Sequence, residues 1–245
     1  MREQLVKLVE IIPSAEMVRF GKNGSDVTTA AIRLARAYTK REKIMICGYH
    51  GWHDWYLATN ISSNNNLNNH LLPGLNPLGV PKGLKDTIIP FNFNSCDDLN
   101  NIVRKQAKNC AAIIMEPARN TLACKPFLKE IRKIATNNNC VLIFDEITSA
   151  WRHDTSGIHK ELGINPDLAT FGKTIANGIP MAALIGKKKI MEKAKDTFVS
   201  STNWTERLGP ACAVAFIKKH KSCLLYTSDA ADEGLGVDLG GRRII

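Results

Sequence analysis

The sequence predicts an α/β protein of three layers, a mainly parallel sheet covered by helices on both faces. Three observations carry this reading. Short unbroken apolar runs such as Ile113-Ile114-Met115 and Val141-Leu142-Ile143-Phe144 read as strands buried on both faces, since a half-exposed strand would alternate apolar and polar residues. Stretches of helical periodicity stand between these runs, as the crossovers between parallel strands require. An acid follows each of these two runs, Glu116 after Met115 and Asp145 after Phe144, which places both carboxylates on the rim where ligands of such sheets bind.

Taken in order, Asn23-Gly24-Ser25-Asp26 leads into a helix over residues 28–39, where Ala31, Leu34, Ala35 and Tyr38 recur at helical spacing and Arg33, Arg36 and Lys40 face water. Residues 43–47 read as a short strand. A segment rich in Asn, Pro and Gly follows from 60 to 85, too long for a plain connector and therefore expected to be functional or mobile. Ser95-Cys96-Asp97-Asp98 has the look of a helix start, with the helix running to about residue 108. Beyond it come a strand at 111–115, a helix at 126–138 that ends in asparagines, and strands at 141–145, 168–171 and 181–185. A last helix is expected over 205–220. Residues 222–245 continue neither its pattern nor any other apolar period, so they are read as a non-native read-through tail.

With 245 residues, 44% hydrophobic and 23% charged, the chain has room for one large α/β domain and the composition of a soluble protein. No stretch approaches the roughly 20 apolar residues that cross a bilayer. The net charge of +10 comes from lysines scattered along helical stretches rather than from a patch interleaved with aromatics, so neither nucleic acid nor membrane is an expected partner. Seven cysteines without a Cys-x-x-Cys pair speak against a disulfide framework or a zinc site, and no metal is expected. Cys47, Cys110 and Cys140 sit in apolar runs and read as small buried hydrophobes. Met1-Arg2-Glu3-Gln4-Leu5 lacks the apolar core of a secretory signal, which makes a reducing cytoplasm the expected compartment.

The sharpest chemistry lies in Lys173, set in Thr170-Phe171-Gly172-Lys173-Thr174 after a strand. A lysine in an apolar pocket or near another cation loses proton affinity and becomes an amine nucleophile toward carbonyl compounds. Paired with Asp145, it meets what pyridoxal phosphate (PLP) requires: an amine for the aldehyde and a carboxylate that keeps the pyridine nitrogen protonated. Gly24 and Ser25 at a helix start can hold a phosphate, whereas the Asp26 carboxylate would repel one and reads as a cap. Tyr49, at a strand exit, can stack on a flat ring; His50 and His53 read as structural. Phe171-Gly172-Lys173-Thr174 also mimics the end of a nucleotide-binding loop. Asp167 stands where that loop needs its opening glycine, and the acidic strand comes before the loop instead of after it.

Across residues 14–221, the runs Asn23-Gly24-Ser25-Asp26 with Ala31-Ile32-Arg33-Leu34-Ala35-Arg36, Tyr49-His50-Gly51, Glu116-Pro117, Phe144-Asp145-Glu146, Phe171-Gly172-Lys173 and Ser201-Thr202 resemble the class III PLP-dependent aminotransferases, the ornithine and glutamate-semialdehyde group. The resemblance implies the large domain of the type I PLP fold, and a homodimer with its sites at the subunit interface. It implies Lys173 as the Schiff-base lysine and Asp145 as partner of the pyridine nitrogen. Gly24, Ser25 and the amide of Asp26 would hold the phosphate; Tyr49 and Ile147 would lie on the two ring faces. Thr202 would reach the phosphate bound by the neighbouring subunit, and Glu116 would sit near the outer edge of the ring. The substrates implied are a small-molecule amino donor and a carbonyl acceptor. Residues 1–221 would be this domain, without the family's N-terminal segment and C-terminal small domain, so the fragment itself could be inactive. The related glutamate-1-semialdehyde 2,1-aminomutases usually carry a glycine-rich stretch after the lysine. Thr174-Ile175-Ala176-Asn177-Gly178-Ile179-Pro180 stands there in this chain, which favours the aminotransferase over the aminomutase.

Overall fold

The computed structural model describes residues 12, 14–152, 156–200 and 206–232. Seven strands, β1 (Met17–Gly21), β2 (Lys43–Cys47), β3 (Ile88–Pro90), β4 (Cys110–Met115), β5 (Val141–Asp145), β6 (Leu168–Phe171) and β7 (Ala182–Gly186), form one sheet in the order β1-β7-β6-β5-β4-β2-β3. From β3 across to β6 every neighbouring pair is parallel. β7 alone is reversed, antiparallel to both β6 and β1. Every residue of β4 and β5 is buried, as unbroken apolar runs demand.

The longer helices are α1 (Gly24–Thr39), α3 (Cys96–Gln106), α4 (Lys125–Asn137) and α7 (Leu208–Asp232); α2 (Asp54–Leu57), α5 (Ile158–Leu162) and α6 (Lys188–Met191) are single turns. On one face α1 lays Val27, Ala31, Leu34 and Ala35 against Ile46, Ile114, Ile143 and Leu184. On the other, Leu99 of α3 and Phe127, Leu128 and Ile131 of α4 cover Ile113, Met115, Leu142 and Phe144. Ala213 and Ile217 of α7 close the same face over Phe171, Ala183 and Ile185. Each of the larger side chains, Val, Leu, Ile, Met or Phe, contributes roughly 1.5–3 kcal/mol on burial, so the alternating faces of these strands bind both helical layers to the sheet. The three-layer arrangement is the expected one.

Several elements depart from expectation. α1 starts at Gly24 rather than 28, because the Asn23 side chain accepts from the Asp26 amide at 3.0 Å while Asp26 accepts from the Asn23 amide, closing a capping box. α7 continues past 220 to Asp232. The 60–85 segment is tied down rather than loose. Asn60 donates to Leu75 O at 2.7 Å and accepts from the Leu67 amide, Asn66 donates to Thr59 O, and Leu67 is fully buried. Asparagine amides there take over the work that a strand ladder would do for the backbone.

Candidate active site

Strand register sets the rim. Cys47 pairs with Met115, Met115 with Phe144, and Asp145 with Thr170, so the residues after β2, β4, β5 and β6 leave the sheet side by side. β1 runs in the same direction as β6, each being antiparallel to β7, and delivers the start of α1 to the same rim. A cavity of 430 Å³ opens there, lined by Gly24, Ser25, Tyr49, Asp145, Ile147 and Lys173 among others. These six are sequence-expected site residues brought together by the fold. Asp26 and Glu116 are not among the lining residues, and Thr202 lies outside the described residues.

Asp145 ends β5 and is 3% exposed. Its Oδ1 accepts from Thr170 Oγ1 at 3.1 Å and from the Ile147 amide at 3.2 Å. Its Oδ2 lies 2.8 Å from His50 Nδ1, which donates to it. A buried carboxylate needs such donors, and here they also aim it into the cavity. His50 is the residue that the sequence reading set aside as structural. The available signal was its place just beyond the end of β2, but only the register of β2, β4 and β5 turns that place into contact with Asp145. His50 Nε2 is buried and has no hydrogen-bond partner among the described residues. Its backbone carbonyl accepts from Thr28 Oγ1 at 2.9 Å, which locks this loop to α1.

Lys173 begins a single 3₁₀ turn, Lys173–Ala176, directly after β6 and Gly172. Its φ of 45° is left-handed, a conformation that costs a non-glycine residue on the order of 1 kcal/mol or more and persists only where its surroundings enforce it. Nζ donates to Thr148 Oγ1 at 2.8 Å. Ile147 fills the space between two glycines: a Cβ on Gly24 would lie 2.8 Å from its Cδ1, and one on Gly172 would lie 3.2 Å from its Cγ2. This apolar wall of the cavity is therefore fixed from both sides.

At the start of α1 the amides of Gly24 and Ser25 have no intrahelical acceptor, and the helix dipole adds partial positive charge there. The Asp26 amide is different. It donates to Asn23 Oδ1 at 3.0 Å, whereas the amides of Gly24 and Ser25 and the Ser25 hydroxyl border the cavity. Gly51 has a φ of +100°, and a Cβ there would lie 2.5 Å from Ser25 Oγ; only glycine lets the loop after β2 come this close to the helix start.

Glu116 is 5% exposed and works behind Tyr49. Its Oε2 accepts from the Tyr49 amide at 2.9 Å and from Arg119 Nε at 3.0 Å. Burial pushes its carboxyl above the usual range, while His50, the Tyr49 amide and Arg119 pull it back and Asp145 adds to the rise. Through the first of these bonds Glu116 fixes the backbone carrying Tyr49. The preceding peptide is pinned as well: the Gly48 amide donates to His70 Nδ1 at 3.2 Å, and Tyr56 Oη donates to Gly48 O at 2.9 Å. Burial, with His50 nearby, lowers the His70 imidazole to about 4, so it serves as a neutral acceptor.

A larger hollow of 650 Å³, bordered by Arg33, Arg36, Trp52 and Trp55, touches the site only through Trp52 and contains no lysine. The smaller cavity holds the chemistry. It offers an amine, a carboxylate with three donors, a helix start, and an aromatic and an aliphatic wall. That set fits a flat, phosphorylated pyridine aldehyde, and PLP is such a molecule. Among the described residues no cluster of three or more His, Cys, Asp or Glu side chains could hold a metal, and no helix is long and apolar enough to cross a membrane.

Comparison with known proteins agrees with this chemistry. The family model described as aminotransferase class III matches residues 1–226. The chain is 39% identical over 226 residues to the 3-aminobutyryl-CoA aminotransferase of Cloacimonas acidaminovorans (strain Evry), covering 89% of this chain and 50% of that protein. It is 38% identical over 192 residues to the glutamate-1-semialdehyde 2,1-aminomutase of Methanobrevibacter smithii, covering 76% of this chain and 44% of that one. Among solved structures, the PLP form of the FumI protein of Sphingopyxis sp. MTA144 superposes with a TM-score of 0.78 at 26% identity, over 90% of this chain and 51% of the other. An omega-transaminase from Sphaerobacter thermophilus gives a TM-score of 0.76 at 27% identity, over 89% and 52%. The chain thus spans about half the length of the relatives it matches.

Proposed function

The chain belongs to the class III aminotransferase family, and on that premise we propose that it is the PLP-binding large domain, residues 1–221, of an enzyme that moves an amino group from a small-molecule donor to a carbonyl acceptor. One observation carries the reading: Lys173 and Asp145, from the ends of different strands, line a single cavity with Gly24, Ser25, Tyr49 and Ile147. When bound, PLP supplies a ring that accepts electrons from the carbon bearing the amine. Lys173 Nζ holds the aldehyde end and then carries the proton between substrate and cofactor carbons. Asp145, oriented by His50 and Thr170, holds a proton on the ring nitrogen. Gly24 and Ser25 bind the phosphate, and Tyr49 and Ile147 hold the ring between them and exclude water.

The proposed enzyme is a cytoplasmic homodimer whose neighbouring subunit supplies Thr202. Trp52, 68% exposed at the cavity mouth, and Phe198, 90% exposed, support a covered face, and seven unpaired cysteines favour a reducing compartment. A second reading, intramolecular amino transfer on a semialdehyde, has support from the aminomutase relative. A nitrogen-15 label on the donor amine separates the two. Label found on a different carbon skeleton supports the aminotransferase; label retained on the original skeleton supports the aminomutase. Label that never leaves its starting carbon, across a panel of donors and acceptors, contradicts both.

A further inference from the structure

The Lys173 amine does not hang free in the cavity. Its Nζ donates to Thr148 Oγ1 at 2.8 Å. We propose that Thr148 is the positioning residue for this amine, a role that rests on the reading of Lys173 given above. A lysine side chain has about 2 kcal/mol of rotamer entropy to lose, and a hydrogen bond from its nitrogen offsets a good part of that, so the acceptor biases where the nitrogen waits. Thr148 can do this because its own segment is held rigidly. The neighbouring Glu146, fully buried, accepts from the Ser149 hydroxyl, from the amides of Ile158 and His159, and from His159 Nδ1. Thr174 Oγ1, next to Lys173, donates to Ala150 O at 3.0 Å and so joins the turn after β6 to the segment that carries Thr148. The left-handed backbone at Lys173 fixes the root of the side chain, and the Thr148 hydroxyl fixes its tip.

The residue type suits the task. A carboxylate at this position would hold the nitrogen as an ammonium, which has no lone pair for attack. A neutral hydroxyl accepts one N–H and leaves the lone pair for the PLP aldehyde carbon; the new C–N bond forms as the carbonyl oxygen leaves as water with two amine hydrogens.

The test follows attachment of PLP to Lys173 in the unaltered chain, Thr148→Val and Thr148→Ser, trapping with borohydride at set times across pH and locating the adduct by peptide mass. Far-UV circular dichroism establishes that each variant is folded. Thr148→Val should attach about fivefold to tenfold more slowly at the alkaline plateau, as loss of one hydrogen bond implies. Thr148→Ser, which restores an acceptor at the same place, should recover the rate. Attachment in the unaltered chain together with a valine plateau within about twofold of it overturns the role of Thr148 alone. Absence of any adduct on Lys173 in the unaltered chain overturns the cofactor reading as well.

Discussion

His50 Nδ1 lies 2.8 Å from Asp145 Oδ2, and both side chains are almost fully buried. The contact joins the loop after β2 to the end of β5, with β4 between them in the sheet. It makes Asp145 a carboxylate held in one orientation rather than a group at the end of a strand.

His50→Phe keeps a ring of similar width and removes the donor. Leaving a buried acceptor short of one partner should cost about 1–3 kcal/mol of stability. PLP affinity should fall as well, by an order of magnitude or so, because the acid is no longer aimed. Thermal unfolding and an absorbance titration with PLP read the two effects. An unchanged affinity in a destabilised variant would reduce His50 to a packing residue.

Gly24→Ala tests the phosphate end. The new methyl would meet Ile147 Cδ1 at 2.8 Å, and Ile147 is backed by Gly172, so the start of α1 or the apolar wall must shift. A cost of about 1–3 kcal/mol and a clear loss of PLP affinity are expected. Gly83→Ala serves as control, since nothing stands within 4 Å of its Cβ position; it should leave binding as it is. Equal binding by both variants would argue against a tightly built helix start.

How much of this was legible follows from burial. β2, β5 and β6 read correctly to the residue because buried parallel strands are unbroken apolar runs, and each is followed by a small or polar residue. β1 and β3 are edge strands with mixed residues and short lengths, so their pattern is that of a loop. The reversal of β7 leaves no local mark, since an apolar run does not state its direction. Lys173 and Asp145 were legible from chemistry and position along the chain. The contacts of His50, Thr148 and Glu116 depend on which strands are neighbours, and on a register that no single segment encodes. Asp26 was legible as a cap, but the bond from its own amide to Asn23 Oδ1 was not.

His70 gives the protein a pH dependence with a definite sign. Its imidazole titrates at about 4 in the folded chain and near 6.5 when unfolded. The unfolded state therefore takes up the proton first. This contribution is present in full above about pH 6.5 and is lost progressively between there and about pH 4, on the order of 3 kcal/mol in all. Urea unfolding of the unaltered chain and of His70→Asn across this range should show the steeper decline in the former. Parallel curves would mean that His70 is not held as a neutral acceptor by the Gly48 amide.

In the proposed enzyme the Lys173 amine and the Asp145 carboxylate grip one pyridine from two sides. The most direct measurement is peptide mapping of the folded chain after incubation with PLP and borohydride reduction, set beside Lys173→Ala and Asp145→Asn. The expected result is a single adduct on Lys173, absent in Lys173→Ala and formed with weaker PLP affinity in Asp145→Asn. An adduct spread over other lysines, or one that persists at full yield in Lys173→Ala, would contradict it.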